Sequence, residues 1–416
     1  MNHSSPTSAT GSAGILEGIK VLDLTRVLAG PWCTQALADM GATVWKIERP
    51  EGGDEMRLSP PHLKNEQGET TTLAHGFLAA NRGKQSITLD FTQPEGQRIV
   101  QQLAARADVV VENFKVGDLA RYGLDYESLR RIRPDIIYCS ITGYGQDGPL
   151  ASQPGYDPVF QAVTGIMSVS GHADGEPGEG PMRCAVAYID VTTGMVATSG
   201  ILGALFHRQR TGQGQRIDVA LLDTALAATT YIAQKYVSAG IEPRRAGNGS
   251  LLVSPSGTYP CADGRILIHA GSPVQWERLC QCLGKPEWIQ DPRFADRATR
   301  LKHFKELDAA IGEVTRDWHK QTLSDALGAV GVPAGPVNSM AEAFQNPQVR
   351  HRQIAMPVAH PGIGEVPMVH SPFRFSETPV KHRPVPELGA DTARILAGEL
   401  GLGDADIAKL RASKIC

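Results

Sequence analysis

The sequence predicts an α/β protein, with a large Rossmann-like open-sheet domain followed by a smaller α+β domain. Three observations predict it. Strand-like and helix-like runs alternate through the first third, a different rhythm begins after residue 211, and a chain of 416 residues exceeds what one hydrophobic core usually organises. The composition, 41% hydrophobic and 20% charged, is that of an ordinary globular protein.

The elements follow in order. An apolar strand over 19–24, a Gly/Pro turn at 26–31, a helix over 32–40 and a strand over 42–47 make a βαβ unit. Further strands are expected at 86–89, 109–111 and 136–140, with helices over 94–107 and 126–132 between them. A long helix follows Asp190 and ends near Thr211. Beyond it come a strand at 215–220, an Ala-rich helix over 223–240, a Gly/Ser loop at 247–250 and a hairpin of strands 257–261 and 265–270. Then Phe304, Leu307, Ile311, Val314 and Trp318, three and four apart, mark one buried helix face. The expected organisation is a 1–13 disordered leader, a large domain over 14–224, a small domain over 225–330 and a 331–416 segment returning to the large domain.

Charge and cysteine usage exclude several classes. A net charge of −3 with both signs mixed advertises neither nucleic acid nor an anionic membrane as partner. No uninterrupted apolar run approaches the roughly 18 residues of a membrane span. The first residues lack the apolar core of a secretory signal and the arginines of a transit peptide, so a cytoplasmic location is expected. Seven scattered cysteines without paired spacing indicate neither a disulfide framework nor a zinc site, and no metal is expected. Cys33, near a helix start, reads as core packing or as an activated thiol. The first turn, Arg26-Val27-Leu28-Ala29-Gly30-Pro31, is not a G-x-G-x-x-G fingerprint and gives a dinucleotide no support.

Asp190 is the most informative position. It stands between a short apolar run and the long helix, where an Asp commonly caps the free backbone N–H groups. A functional reading comes from the motifs around it. Leu22-Asp23-Leu24-Thr25-Arg26-Val27-Leu28-Ala29-Gly30-Pro31, Lys46-Ile47-Glu48-Arg49-Pro50, Asn81-Arg82-Gly83-Lys84-Gln85-Ser86-Ile87, Val111-Glu112-Asn113-Phe114 and Thr142-Gly143-Tyr144-Gly145-Gln146-Asp147-Gly148-Pro149 occur in order. With Asp190-Val191-Thr192-Thr193-Gly194, Arg210-Thr211-Gly212-Gln213-Gly214-Gln215 and Gly331-Val332-Pro333-Ala334-Gly335-Pro336-Val337, they resemble the family III CoA-transferases from about Leu16 to the C-terminus.

That resemblance implies Asp190 as the acyl-carrying nucleophile and places Arg26, Val27, Leu28, Ala29, Arg49, Asn81, Lys84, Asn113, Phe114, Arg121, Gly143 and Tyr144 around CoA. It implies CoA as a substrate with no cofactor, and an interlocked homodimer. The chemistry of CoA agrees: its phosphates call for Arg and Lys or for free amides, and its adenine for a planar partner such as Phe114. A helix N-terminus is expected to keep Asp190 ionised. The amides of Gly247 and Gly249 are expected either to stabilise an oxyanion or to form a plain turn.

Two other readings compete. An α-methylacyl-CoA racemase of the same fold uses a His in a Gly-His-Asp sequence where this chain has Gly155-Tyr156-Asp157, and an unperturbed phenol, with a pKa of about 10, is a poor base there. His172 lies beyond the motif. An inactive CoA-binding protein is disfavoured by the intact Asp190. Leu28 stands where the formyl-CoA branch has Gln, and the closer similarity is to members handling succinyl-CoA and other dicarboxylates. Arg183, seven residues before Asp190, is the first choice for gripping a second carboxylate, with Arg26 and Arg57 in reserve.

Overall fold

Six parallel strands form the main sheet of the structure, a computed structural model that describes residues 14–416. The expected 1–13 leader lies outside the described residues. The strands are β1 (Lys20–Asp23), β2 (Thr43–Glu48), β3 (Gln85–Thr88), β4 (Val109–Glu112), β5 (Ile137–Thr142) and β6 (Arg216–Ala220). Their spatial order is β3-β2-β1-β4-β5-β6. This is the doubly wound order, in which the chain leaves β1 in one direction and returns to β4 in the other. The register is pinned by buried β-branched and aromatic residues, Leu22 lying beside Trp45 on one side and Val110 on the other.

Helix α1 (Ala29–Asp39) starts three residues earlier than expected, because Pro31 fits the first helical turn, where its missing N–H costs no hydrogen bond. Gly30 permits that start, since a Cβ there would lie 2.4 Å from the Thr25 side chain. Helix α2 (Pro94–Ala104) also has Pro in its first turn and buries Ile99, Val100 and Leu103 against the core of the sheet, each worth roughly 1.5–3 kcal/mol. Helix α3 (Tyr126–Ile132) has the predicted bounds. Helices α4 (Asp157–Val163) and α5 (Tyr188–Thr211) complete the part of this unit that carries the site.

Among the described residues, α5 is the one helix long and apolar enough to cross a membrane. One side of it, Ile189, Thr193, Gly194, Ala197, Ile201 and Ala204, is buried, and α5 packs on α1. Gly194 makes that packing feasible: a Cβ would lie 2.7 Å from the Ala29 carbonyl oxygen.

The chain divides into two compact units. The larger takes the described residues up to Thr164, Cys184–Ala233 and Arg350–Cys416; the smaller takes Gly165–Arg183 and Gln234–Val349. The small unit therefore differs from the expected 225–330. It extends to Val349 because the strand Ala334–Pro336 pairs with Gly264–His269, Ile266 opposite Pro336, beside the hairpin partner Ser256–Cys261. The expected helix over 223–240 is two helices, Leu221–Ala228 and Tyr231–Ala239, broken at Thr230, whose φ is +50°. The buried face beginning at Leu307 and Ile311 belongs to Phe304–Thr315, which ends before Trp318. The last segment rejoins the large unit: Thr88 donates its N–H to Thr392 Oγ1 (3.0 Å) and Ser86 donates its own to Asp391 Oδ2 (3.0 Å).

Candidate active site

In a doubly wound sheet the crevice opens beyond the carboxyl ends of the strands where the order reverses. Here that point lies between β1 and β4, and it holds a cleft of about 540 Å³. The turn after β1 supplies Arg26, Val27, Leu28 and Ala29; the turn after β4 supplies Asn113, Phe114 and Lys115; β5 leads into Gly143; and α5 contributes Asp190. Tyr156, 66% exposed, lines the same cleft.

The turn after β1 is strained and firmly held. Val27 adopts φ +68°, costly for a β-branched residue. Its N–H donates to Asp54 Oδ1 (3.2 Å), and Asp54 is fixed by a buried ion pair with Lys46 (2.9 Å). Asn113 clamps the neighbouring residue: its Oδ1 accepts from the Arg26 N–H (2.9 Å) and its Nδ2 donates to the Arg26 carbonyl (2.8 Å). Its side chain is thus occupied in shaping the cleft. The Arg26 guanidinium lies over the Phe114 ring, 4.7 Å from its centroid, and pairs with Glu55 (2.8 Å).

An adjoining cleft of about 230 Å³ shares Arg26, Phe114 and Asp118 with the first and is lined by Arg49 and Arg121. Both guanidiniums are more than half exposed, Arg49 3.5 Å from Glu55 and Arg121 3.0 Å from Asp118. A ligand's phosphates can reach them without breaking a buried pair.

Several expected contacts are corrected. Lys84 lies in the core, its Nζ donating to Asp23 Oδ2 (3.0 Å), the Pro31 carbonyl (3.0 Å) and Asn81 Oδ1 (2.8 Å), so all three donors are spent. Burial pulls its pKa down to about 8 against the pull of Asp23. Asn81 is equally buried and donates to the Phe77 carbonyl. Arg57 is paired with Glu48 (2.7 and 2.8 Å) and the Pro386 carbonyl through Nε and Nη2 and lies 3.6 Å over the Phe77 ring; its remaining Nη1 is unpaired but buried, away from the cleft wall. Tyr144 turns its ring edge to Phe160, 5.0 Å away, and is not part of the cleft wall. Arg183, Gly247 and Gly249 are exposed and belong to the smaller unit. Cys33 is core packing, its thiol pushed up to about 12 by burial.

Asp190 is not the cap of its helix. Ala187 holds the N-cap position without a side-chain hydrogen bond, and Asp190 is the third helical residue. The capping carboxylate comes from α4: Asp157 accepts from the Ile189 N–H (2.8 Å) and the Asp190 N–H (3.2 Å). Burial, and next the negative charge of Asp157, push the Asp190 carboxyl up to about 7. The expectation that the helix terminus keeps it firmly ionised is overturned, because that terminus is already neutralised by Asp157. In the sequence Asp157 stands out only as the residue beside Tyr156, and Lys115 and Asp54 carry no motif of their own; a Lys after the Asn113-Phe114 pair is a signal for Lys115, but no spacing rule signals Asp157 or Asp54.

The strand-switch crevice thus sets the Asp190 carboxyl group in its wall, and the cleft beside it carries the guanidiniums of Arg49 and Arg121. The chain belongs to CoA-transferase family III, whose model matches residues 16–392. It is 44% identical to a succinate–glutarate CoA-transferase of Agrobacterium fabrum, over 92% of this chain and 95% of that one. It is 38% identical to the succinyl-CoA:glutarate CoA-transferase of Mus musculus, over 99% and 92% of the two chains. Its fold is similar to that of a CAIB/BAIF family protein from Brucella suis, with a TM-score of 0.85 at 41% identity, covering 93% of this chain and all of the other.

Proposed function

We propose that this enzyme moves CoA from succinyl-CoA or another dicarboxyl-CoA to a dicarboxylic acid such as glutarate, with Asp190 as the covalent carrier. The observation that carries the reading is a single carboxylate at the start of α5, set in the wall of a cleft that adjoins a second one lined by Arg49 and Arg121. The names of the similar transferases supply the acyl class.

The Asp190 carboxylate attacks the thioester carbonyl; the C–S bond breaks, giving a mixed anhydride and CoA thiolate. The thiolate attacks the Asp190 carbonyl, releasing the first acid and leaving an enzyme–CoA thioester. The incoming carboxylate attacks that thioester and forms a second anhydride. The freed thiolate then takes the new acyl group and restores Asp190. Each step exchanges one carboxylate or thiolate for another, which is why a carboxylate serves as carrier and why the mechanism calls for no metal or redox group. The tetrahedral oxyanion is assigned to free amides at the start of α1, which has no side-chain cap.

The donor preference is testable. Succinyl-CoA is expected to exceed butyryl-CoA as donor by roughly ten- to a hundredfold, the worth of one charge-assisted contact of about 1.5–3 kcal/mol. With Arg57 buried against Glu48, the grip falls to Arg26, on the cleft wall, or to Arg183. The preference should collapse in Arg26→Met or Arg183→Met, and equal use of both donors by the unaltered enzyme would remove the dicarboxylate reading.

Racemisation is disfavoured because Tyr156 stands where a base is needed. A chiral 2-methylacyl-CoA incubated in deuterated water should keep its α-proton; rapid deuterium uptake would reinstate the racemase.

We place the enzyme in the cytoplasm as an interlocked homodimer. The support for a dimer is the exposed apolar side of α5, with Met195 57% and Phe206 60% exposed, and the groove beside it formed by Trp32, Leu202 and Phe373. Threaded chains separate only on substantial unfolding. Dilution to nanomolar concentration should therefore leave the dimer intact, whereas a rapidly reversible monomer would argue for ordinary docking.

A further inference from the structure

Asp157 is 2% exposed and carries out three tasks at once. Its Oδ2 accepts the Ile189 and Asp190 N–H groups, and its Oδ1 accepts from Gln161 Nε2 at 2.6 Å. Gln161, one turn further along α4, also holds the strand-like lead into α5: its Oε1 accepts the Cys184 N–H (2.8 Å) and its Nε2 donates to the Cys184 carbonyl (3.1 Å). The pair thus fixes both ends of the 184–190 segment from outside it. Among the described residues no other side chain caps the helix start, since Ala187 offers no capping side chain. We propose that Asp157 is the positioning residue of the transfer reaction: a carboxylate that caps the catalytic helix from a neighbouring one, aims Asp190 into the cleft and places a fixed negative charge beside it. The proposal rests on the reading of Asp190 as nucleophile.

The charge has a chemical use. A carboxylate held beside another is more basic than one alone, and a more basic carboxylate attacks a thioester faster once ionised. The hydrogen bonds of Asp157 to two backbone amides and an amide side chain hold its carboxyl group in place beside the start of α5. Other titratable groups that line the cleft with Asp190 are Arg26, Glu55, Lys115, Asp118 and Tyr156. The first turn of α1 carries no charged residue. Of these neighbours, Asp157 is the one in hydrogen-bond contact with the backbone of Asp190.

Two substitutions separate charge from geometry. Asp157→Asn keeps an acceptor oxygen but removes the charge; Asp157→Glu keeps the charge but moves the oxygens by a methylene. In Asp157→Asn the acid limb of kcat should move to lower pH, and kcat should fall about tenfold or more, with KM for the acyl-CoA nearly unchanged. In Asp157→Glu the limb should stay in place while kcat falls. A limb unmoved in Asp157→Asn, or full kcat in Asp157→Glu, would overturn the proposal, as would losses that merely track the melting temperature. If Asp157→Asn does not fold, the kcat of Asp157→Glu decides. Asp190→Ala in parallel keeps the two ideas apart: its full activity would remove the nucleophile, whatever Asp157 does.

Discussion

Asp190→Ala is expected to lose transferase turnover by about three orders of magnitude or more, the usual scale for removing a covalent nucleophile, while still binding acyl-CoA. Alanine removes the attacking oxygen but leaves the adjoining cleft of Arg49 and Arg121 untouched, so the loss should fall on kcat. The milder Asp190→Asn carries a second signature. In the unaltered enzyme only the ionised carboxylate attacks, so activity should rise with pH through a limb near 7, where burial and Asp157 place its titration. The same shift fixes the sign of a stability effect. A carboxyl whose pKa is raised on folding contributes stability below its unfolded value, near 4, and loses it as pH rises through about 7. Asp190→Asn removes that loss. It should therefore raise the melting temperature by about 1–3 °C at pH 8 and leave it unchanged at pH 4, the trade of stability for function common at active sites. Scanning calorimetry at the two pH values reads this directly.

Lys84→Met is expected to destabilise the fold by about 3–5 kcal/mol, because it leaves Asp23 buried with its main partner removed. Both side chains of this pair have no exposure at all. Asp23 holds its charge there through Lys84 and Lys46 and through the Thr25 and Thr34 hydroxyls, at 2.5 and 2.6 Å, which together overcome its desolvation. The network underlies the turn after β1, since Lys46 also reaches the Thr25 carbonyl and Asp54. A denaturant titration should show the loss, and KM for the acyl-CoA in the folded fraction should change little. A variant of full stability that binds CoA poorly would return Lys84 to the ligand.

Much of the fold was legible in the chain, and for a clear reason. Strands such as 109–111 and helices such as 126–132 are bounded by polar turns, and their apolar periodicity does not depend on distant partners. Depth was not legible. Arg49 and Arg57, or Lys84 and Arg121, look alike as basic residues in motifs, yet one of each pair is exposed and the other is locked under the sheet's carboxyl edge. Strand polarity misleads there, because Asp23, Lys46 and Glu48, at or near the carboxyl ends of their strands, form a buried charge cluster around Lys46 that alternation reads as surface. Nor does any local pattern join Asp157 to Asp190, 33 residues apart, so the sequence alone offers Asp190 as the cap and hides the residue that caps the helix. The strained Val27 likewise carries no mark in a sequence where left-handed backbone is expected of Gly or Asn.

The central claim is that acyl transfer passes through a covalent bond to Asp190. The most direct measurement mixes the enzyme with succinyl-CoA and no acceptor, traps with hydroxylamine or borohydride, and maps the altered peptide by mass spectrometry. The account predicts one modified residue, Asp190, with no modification in Asp190→Asn. Modification at another side chain, or full turnover with no trappable adduct, would contradict it.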